Sequence, residues 1–236
     1  MKDADELTRR AMDSAQRNDA QETAAAYQVA AARCAVEAGD RVQARSEAEA
    51  AVKLAPNRDV RGLAAVVLAR AGDTANAEKL AGELDKAFPR DTIVQRSYLP
   101  TIRAAVALEH RDPNRAIELL KGASAIELGT GGGEWYLVYV RGEAYLMLHD
   151  GKAAAAEFQK FMDHSGLVGN YPMAALARLG LARAYALEAQ SAQGAAGDTA
   201  RAKSRAAYQD FFALWKDADP DIPILKQARA ECAKLQ

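Results

Sequence analysis

Apolar positions recur along this chain with a helical period, and short polar turns interrupt them at similar spacings. After successive turns a small residue is followed by apolar residues four and seven positions on: Ala44, Ala48 and Ala51, then Ala77, Ala81 and Leu84. Residues so spaced share one face of an α-helix, so each set marks a helix with one buried stripe. The stretches 37–56 and 69–89 align without a gap at an offset of 33 residues, with Gly39-Asp40 matching Gly72-Asp73 and Pro56 matching Pro89. The pattern returns with longer insertions. Arg111-Asp112-Pro113 precedes Ala116, Leu120 and Ala123; His149-Asp150-Gly151 precedes Ala154, Phe158 and Phe161; Gly197-Asp198 leads to Ser204, Tyr208 and Phe211. Each turn closes one predicted helix and opens another. A series of such hairpins covers its apolar stripes by stacking neighbours.

The units predicted are 25–57, 58–91, 97–126, 135–168 and 175–217, with a leading helix over 4–17 and a closing helix over 220–235. The closing helix should be capped by Asp221 and carry Pro223 in its first turn. Pro100 should remove a backbone bond and bend the first helix of the third unit. The period, the hairpins and a Gly/Ala-x2-Tyr step, present as Gly142-Glu-Ala-Tyr145 and Ala182-Arg-Ala-Tyr185, resemble the tetratricopeptide repeat. The resemblance implies an all-α, right-handed superhelix of antiparallel helix hairpins, about five repeats in one domain over 1–236. It also implies a concave groove, lined by the first helices, that takes a peptide or a partner helix.

By helix phase, Tyr98, Tyr136, Tyr139 and Glu143 could face that groove together with Arg183, Arg33 and Arg70. Packing between repeats is an equal reading for Tyr136 and Tyr139. Tyr145, Phe158, Phe161, Tyr185, Tyr208, Phe211 and Trp215 read as core, since aromatics at helical spacing are normally packing residues.

Half of the 236 residues are hydrophobic but only 6% are aromatic, so alanine, the best helix former, carries much of the apolar content. The formal net charge is −1 with both signs interspersed. That balance gives no support to nucleic-acid or anionic-membrane binding through bulk charge. No run of about 18 apolar residues occurs, so no membrane insertion is expected. The two cysteines, Cys34 and Cys232, lie in alanine-rich helical runs and read as buried free thiols.

Two short motifs hint at phosphate chemistry. His110-Arg111-Asp112 matches the start of a kinase catalytic loop, but Ile117 stands where the metal-binding asparagine belongs. The glycine run Gly129–Gly133 continues into Glu134 and Trp135 rather than Lys-Ser/Thr, so it reads as a linker. His110, His149 and His164 fall in separate units without metal-ligand spacing. No catalytic residue, metal or cofactor is expected.

The second half is similar to a narrower family. "YVRGEAYL", "LGLARAYAL" and above all "WKDADPDIPILKQA" resemble the C-terminal repeat region of bacterial serine/threonine protein kinases of the acidobacterial type. This resemblance implies a non-catalytic tail whose kinase domain would lie N-terminal to Met1, in the cytoplasm or, with an anchored parent, outside it. The function expected is a scaffold for a protein or peptide partner within a signalling protein. The alternative is a spacer or a homodimerising element with no foreign ligand.

Overall fold

The computed structural model describes residues 2–123, 126–129, 134–169 and 171–235, and every regular element among them is helical. The α-helices are α1 (Lys2–Arg17), α2 (Gln21–Ala38), α3 (Arg41–Leu54), α4 (Arg58–Arg70), α5 (Thr74–Ala87), α6 (Leu99–Glu109) and α7 (Pro113–Leu120). They continue with α8 (Glu134–Met147), α9 (Gly151–Asp163), α10 (Ser165–Val168), α11 (Pro172–Ser191), α12 (Gly194–Leu214) and α13 (Pro223–Ala233). The chain forms two compact units that divide between Asp112 and Pro113, inside the stretch read as the third repeat.

Four of the turns share one chemical recipe. A residue with left-handed backbone ends one helix, and an aspartate opens the next. Gly39 (φ 95°) and Gly72 (φ 83°) hold this position between α2 and α3 and between α4 and α5, Arg111 (φ 62°) and His149 (φ 58°) between α6 and α7 and between α8 and α9. The following aspartates cap the new helices: Asp40 accepts from the Gln43 amide at 2.9 Å, Asp73 from Asn76 at 3.3 Å and Asp150 from Ala153 at 2.9 Å. Such caps satisfy amides that have no partner inside the helix. Asn57 and Asp91 cap in the same way, accepting from Val60 at 2.9 Å and Val94 at 3.0 Å.

In the first unit α1 packs on α2, α2 on α3 and α4, α3 on α4, and α4 and α5 on α6. Each hairpin therefore buries its stripe against the next. Ala44, Ala48, Ala51, Ala77, Ala81 and Leu84 are all 0% exposed. The small residues matter because they let helix axes approach. Gly62 leaves room for the Tyr98 ring, whose nearest atom would lie 2.6 Å from a Cβ built there. Pro100 lacks the N–H that would bond the Arg96 carbonyl, and the chain answers with a π turn over Val94–Tyr98, closed by Leu99 N–H donating to Val94 O.

In the second unit α8 packs on α7, α9 and α11, while α11 also packs on α9 and α12, and α12 touches α13. Ala116, Leu120, Ala123, Ala154, Phe158, Phe161, Ser204, Tyr208 and Phe211 are buried, as their spacing predicts. Phe158 lies between two glycines, with Cβ atoms at Gly142 and Gly180 coming within 2.7 and 2.6 Å of its ring. The Ser204 hydroxyl donates to the Ala182 carbonyl at 2.7 Å, so a buried polar group is satisfied across α11 and α12.

Several expectations are corrected here. The turn expected at Gly197-Asp198 lies earlier, at Ala192-Gln193, because the alanine-rich "EAQSAQGAAGD" segment extends both flanking helices. Asp221 does not cap the closing helix; Ile222 precedes Pro223 in extended conformation, as a residue before proline prefers, and no side chain caps the start. Tyr145, Tyr185 and Trp215 are half-buried rather than core. Cys34 is exposed and Cys232 half-buried. Cys34 continues an exposed strip of α2 that includes Tyr27 and Ala30. The linker reading at Gly129–Gly133 falls largely outside the described residues, as positions 130–133 do.

Candidate functional site

The seven residues assigned to a groove by helix phase fall in two separate sets, Arg33, Arg70 and Tyr98 in the first unit and Tyr136, Tyr139, Glu143 and Arg183 in the second. The tyrosines are packing residues. Tyr136 is 1% exposed and Tyr139 6%, the latter with its ring centroid 5.7 Å from Phe158 and 6.4 Å from Phe161. Tyr98 is 6% exposed, and its hydroxyl donates to Asp59 at 3.2 Å. Burial on this side of α8 has a signal in the sequence: "WYLVYV" is apolar on every side, and a helix hydrophobic all round is enclosed. Trp135 through Val140 are buried without exception because three helices surround them.

Two of the charged candidates, Arg70 and Arg183, form ion pairs with residues that helix phase did not select, and Glu143 is half-buried on α8. Arg70 on α4 donates to Glu37 on α2, with its Nη2 at 2.8 Å, and Arg33 is buried one turn from Glu37. Arg58 donates to Asp91 at 2.8 Å. Both pairs join residues 33 positions apart. Bonds from Val94 N–H and from Arg58 hold the Asp91 carboxyl below the usual carboxylate range. Opposite charges at the repeat offset were therefore the legible sign of these pairs.

A second network ties the turn at 126–129 to α8 and α9. Arg141 Nη2 donates to Glu127 and to Glu157 at 2.7 Å, and Lys160 Nζ donates to Glu127 at 2.7 Å and Glu157 at 3.1 Å. Burial alone would push the Glu127 carboxyl up; the bonds from Lys160 and Arg141 outweigh it and hold it below its ordinary range. Burial likewise opposes the charge on Arg141, and Glu157 and Glu127 overcome it, so its pKa is raised. The four groups neutralise one another, which describes a structural clamp rather than a reactive pair.

A third network centres on Glu231 of α13. Arg183 donates to it through Nε at 2.9 Å and Nη2 at 3.1 Å, and the Tyr208 hydroxyl at 3.0 Å. Burial of the Tyr208 phenol pushes its pKa up, and the neighbouring Glu231 charge adds to the effect. Beside this network lies a hollow of about 330 Å³ with apolar walls from Leu146, Ala186, Leu187 and Leu235. His149 and Lys234 stand on its rim. The first unit has a hollow of about 460 Å³ between α1 and the α2–α3 pair, rimmed by Asp5, Glu6, Asp13 and Glu47.

Among the described residues no group of three or more His, Cys, Asp or Glu side chains is placed to hold a metal ion. No described helix is long and apolar enough to cross a membrane. Within the kinase-like motif, His110 ends α6, Arg111 takes the left-handed turn position and Pro113 starts α7. Compared with protein-family models, with curated proteins and with solved structures, the chain finds no match.

Proposed function

We propose that this chain is a tetratricopeptide-like array of helix hairpins that serves as a non-catalytic scaffold for a protein or peptide partner. Its proposed setting is the tail of a bacterial signalling protein of the serine/threonine kinase type. The observation that carries the reading is the pair of 33-residue contacts, Glu37–Arg70 and Arg58–Asp91. When residues one sequence period apart touch at equivalent places, successive hairpins stack in register, which is the defining arrangement of a repeat array. Pairing among the buried charges leaves them few catalytic roles, so the free chemistry is that of surfaces.

The surface best suited to a partner is the hollow by Leu146 and Leu187, where apolar walls meet a polar rim. A partner side chain entering it would bury apolar area against Leu187 and find donors at the edge. The test is capture of proteins from a bacterial lysate on the immobilised full chain, with Leu187→Asp as comparison and circular dichroism to verify its helical content. At least one protein retained by the wild type and lost from the variant is expected. An identical retained set contradicts the assignment of this hollow.

A further inference from the structure

In the first unit one place in the stack of helices is open. At the 33-residue offset Ala11 and Ala15 of α1 match Ala44 and Ala48 of α3, and α1 packs on α2 as α3 packs on α4. Helix α1 therefore stands where the second helix of a preceding hairpin would. Among the described residues no helix stands one repeat before α2.

The open place shows in the burial of equivalent positions. On α4, Val60 and Val67 are 2% and 0% exposed. They lie about 140–160° round the helix from Gly62 at 3.6 residues per turn. Gly62 itself faces Tyr98 of the following element. Val60 and Val67 thus turn toward the preceding elements that pack on α4, which are α2 and α3. One repeat earlier the same positions are Tyr27 and Cys34 of α2. Tyr27 is 44% exposed, Cys34 is exposed, and Ala30 lies open between them. The first helix repeats the difference. Ala11 is half-buried where its counterparts Ala44 and Ala77 are fully buried, and Leu7, four residues away on the same face, is 63% exposed. Two neighbouring helices thus leave uncharged positions open where the next repeat buries them.

What fits the place follows from what fills it one repeat on. There the occupant is α2, which buries Ala25, Val29, Ala32 and Val36, small residues at three- and four-residue spacing. The complementary ligand is therefore an α-helix with a stripe of alanine and valine, rather than an extended or charged segment. Helix α2 of a second copy is already engaged with its own α3 and α4. We propose that the face formed by Leu7, Ala11, Tyr27, Ala30 and Cys34 docks such an amphipathic helix from another protein, continuing the stack that α2 and α4 establish. The inference rests on the repeat-array reading, because the offset identifies the place, and it is separate from the hollow by Leu187.

The probe is a labelled peptide of residues 21–38 with Cys34→Ser, the sequence that fills the equivalent place, titrated against the full chain by fluorescence anisotropy. Saturable binding is expected. Ala30→Glu in the full chain should weaken it about tenfold or more, since a lone carboxylate would be shut into an apolar contact. Val42→Glu, at an exposed position of α3, should leave it unchanged. If Ala30→Glu loses helical content, alkylation of the wild type decides: bound peptide should protect Cys34 from iodoacetamide and leave Cys232 reacting as before. Absence of saturable binding overturns the proposal, as does binding that neither Ala30→Glu nor Cys34 alkylation senses. A wild-type dimer in light scattering that Ala30→Glu abolishes also overturns it, because the occupant is then a second copy. A double-mutant cycle on Glu37 and Arg70 separates this inference from the array. Coupling between them without peptide binding removes the docking site and leaves the array standing, whereas no coupling and no binding remove both.

Discussion

Single atoms decide how closely these helices pack. Phe158 fits because neither Gly142 nor Gly180 carries a Cβ, and each such atom would sit under 3 Å from the ring. Gly142→Ala and Gly180→Ala should each destabilise the fold by about 1–3 kcal/mol through overpacking, read as a lower urea midpoint. Backbone handedness makes the opposite prediction at the later turns. Arg111 and His149 hold left-handed conformations that cost an L-residue roughly 1–2 kcal/mol, against roughly 0.5–1 kcal/mol of entropy lost by a glycine. Arg111→Gly and His149→Gly should therefore raise stability by up to about 1 kcal/mol, and a lower midpoint would refute the assignment of strain. The αL site itself was readable from Gly39 and Gly72, whose equivalents in the later turns are not glycines. The three buried tyrosines were not placed by phase, because phase names a side of a helix and not how many neighbours cover it. Around α8 there are three, and the unbroken apolar run from Trp135 to Val140 was the sign of them.

Helices here are set by their ends and by the small residues that follow. Replacing the capping Asp40 or Asp150 by alanine should cost about 1 kcal/mol each, measurable in the same unfolding experiment. The buried stripes were predicted to the residue because two constraints coincide: a 3.6-residue period and a turn that fixes its start. The turn between α11 and α12 escaped, since a run of Ala, Gln and Glu is helical almost wherever it begins, and Gly197-Asp198 imitated a turn inside it. Charge networks were legible only at the repeat offset. Glu37–Arg70, Arg58–Asp91 and Glu127–Lys160 keep it, whereas Arg183–Glu231 spans 48 residues and Arg141–Glu127 only 14. The latter clamp should be visible in acid. The folded pKa of Glu127 lies below its unfolded value, so its contribution is complete above the ordinary glutamate pKa of about 4.3 and is lost as pH falls through the folded value. Glu127→Gln should flatten that part of the stability–pH curve. An unchanged slope between about pH 4.3 and the acid transition would show that the clamp carries no net stability.

Taken together, the contacts are made by helices near one another in the chain: α2 with α3 and α4, α4 with α5 and α6, α8 with α9 and α11. If that is the organising rule, damage should spread only to neighbours, because each hairpin is held by those beside it. Phe158 is the most informative place to cause it, being buried where α8, α9 and α11 meet. Phe158→Ala should cost about 3–5 kcal/mol by removing a large buried ring. Native-state amide hydrogen exchange on this variant resolves where the loss falls. A stacked array of hairpins predicts lost protection in α8, α9 and α11, with α2 through α5 protected as in the wild type. An equal loss in every helix would mean one indivisible core and would contradict the repeat account.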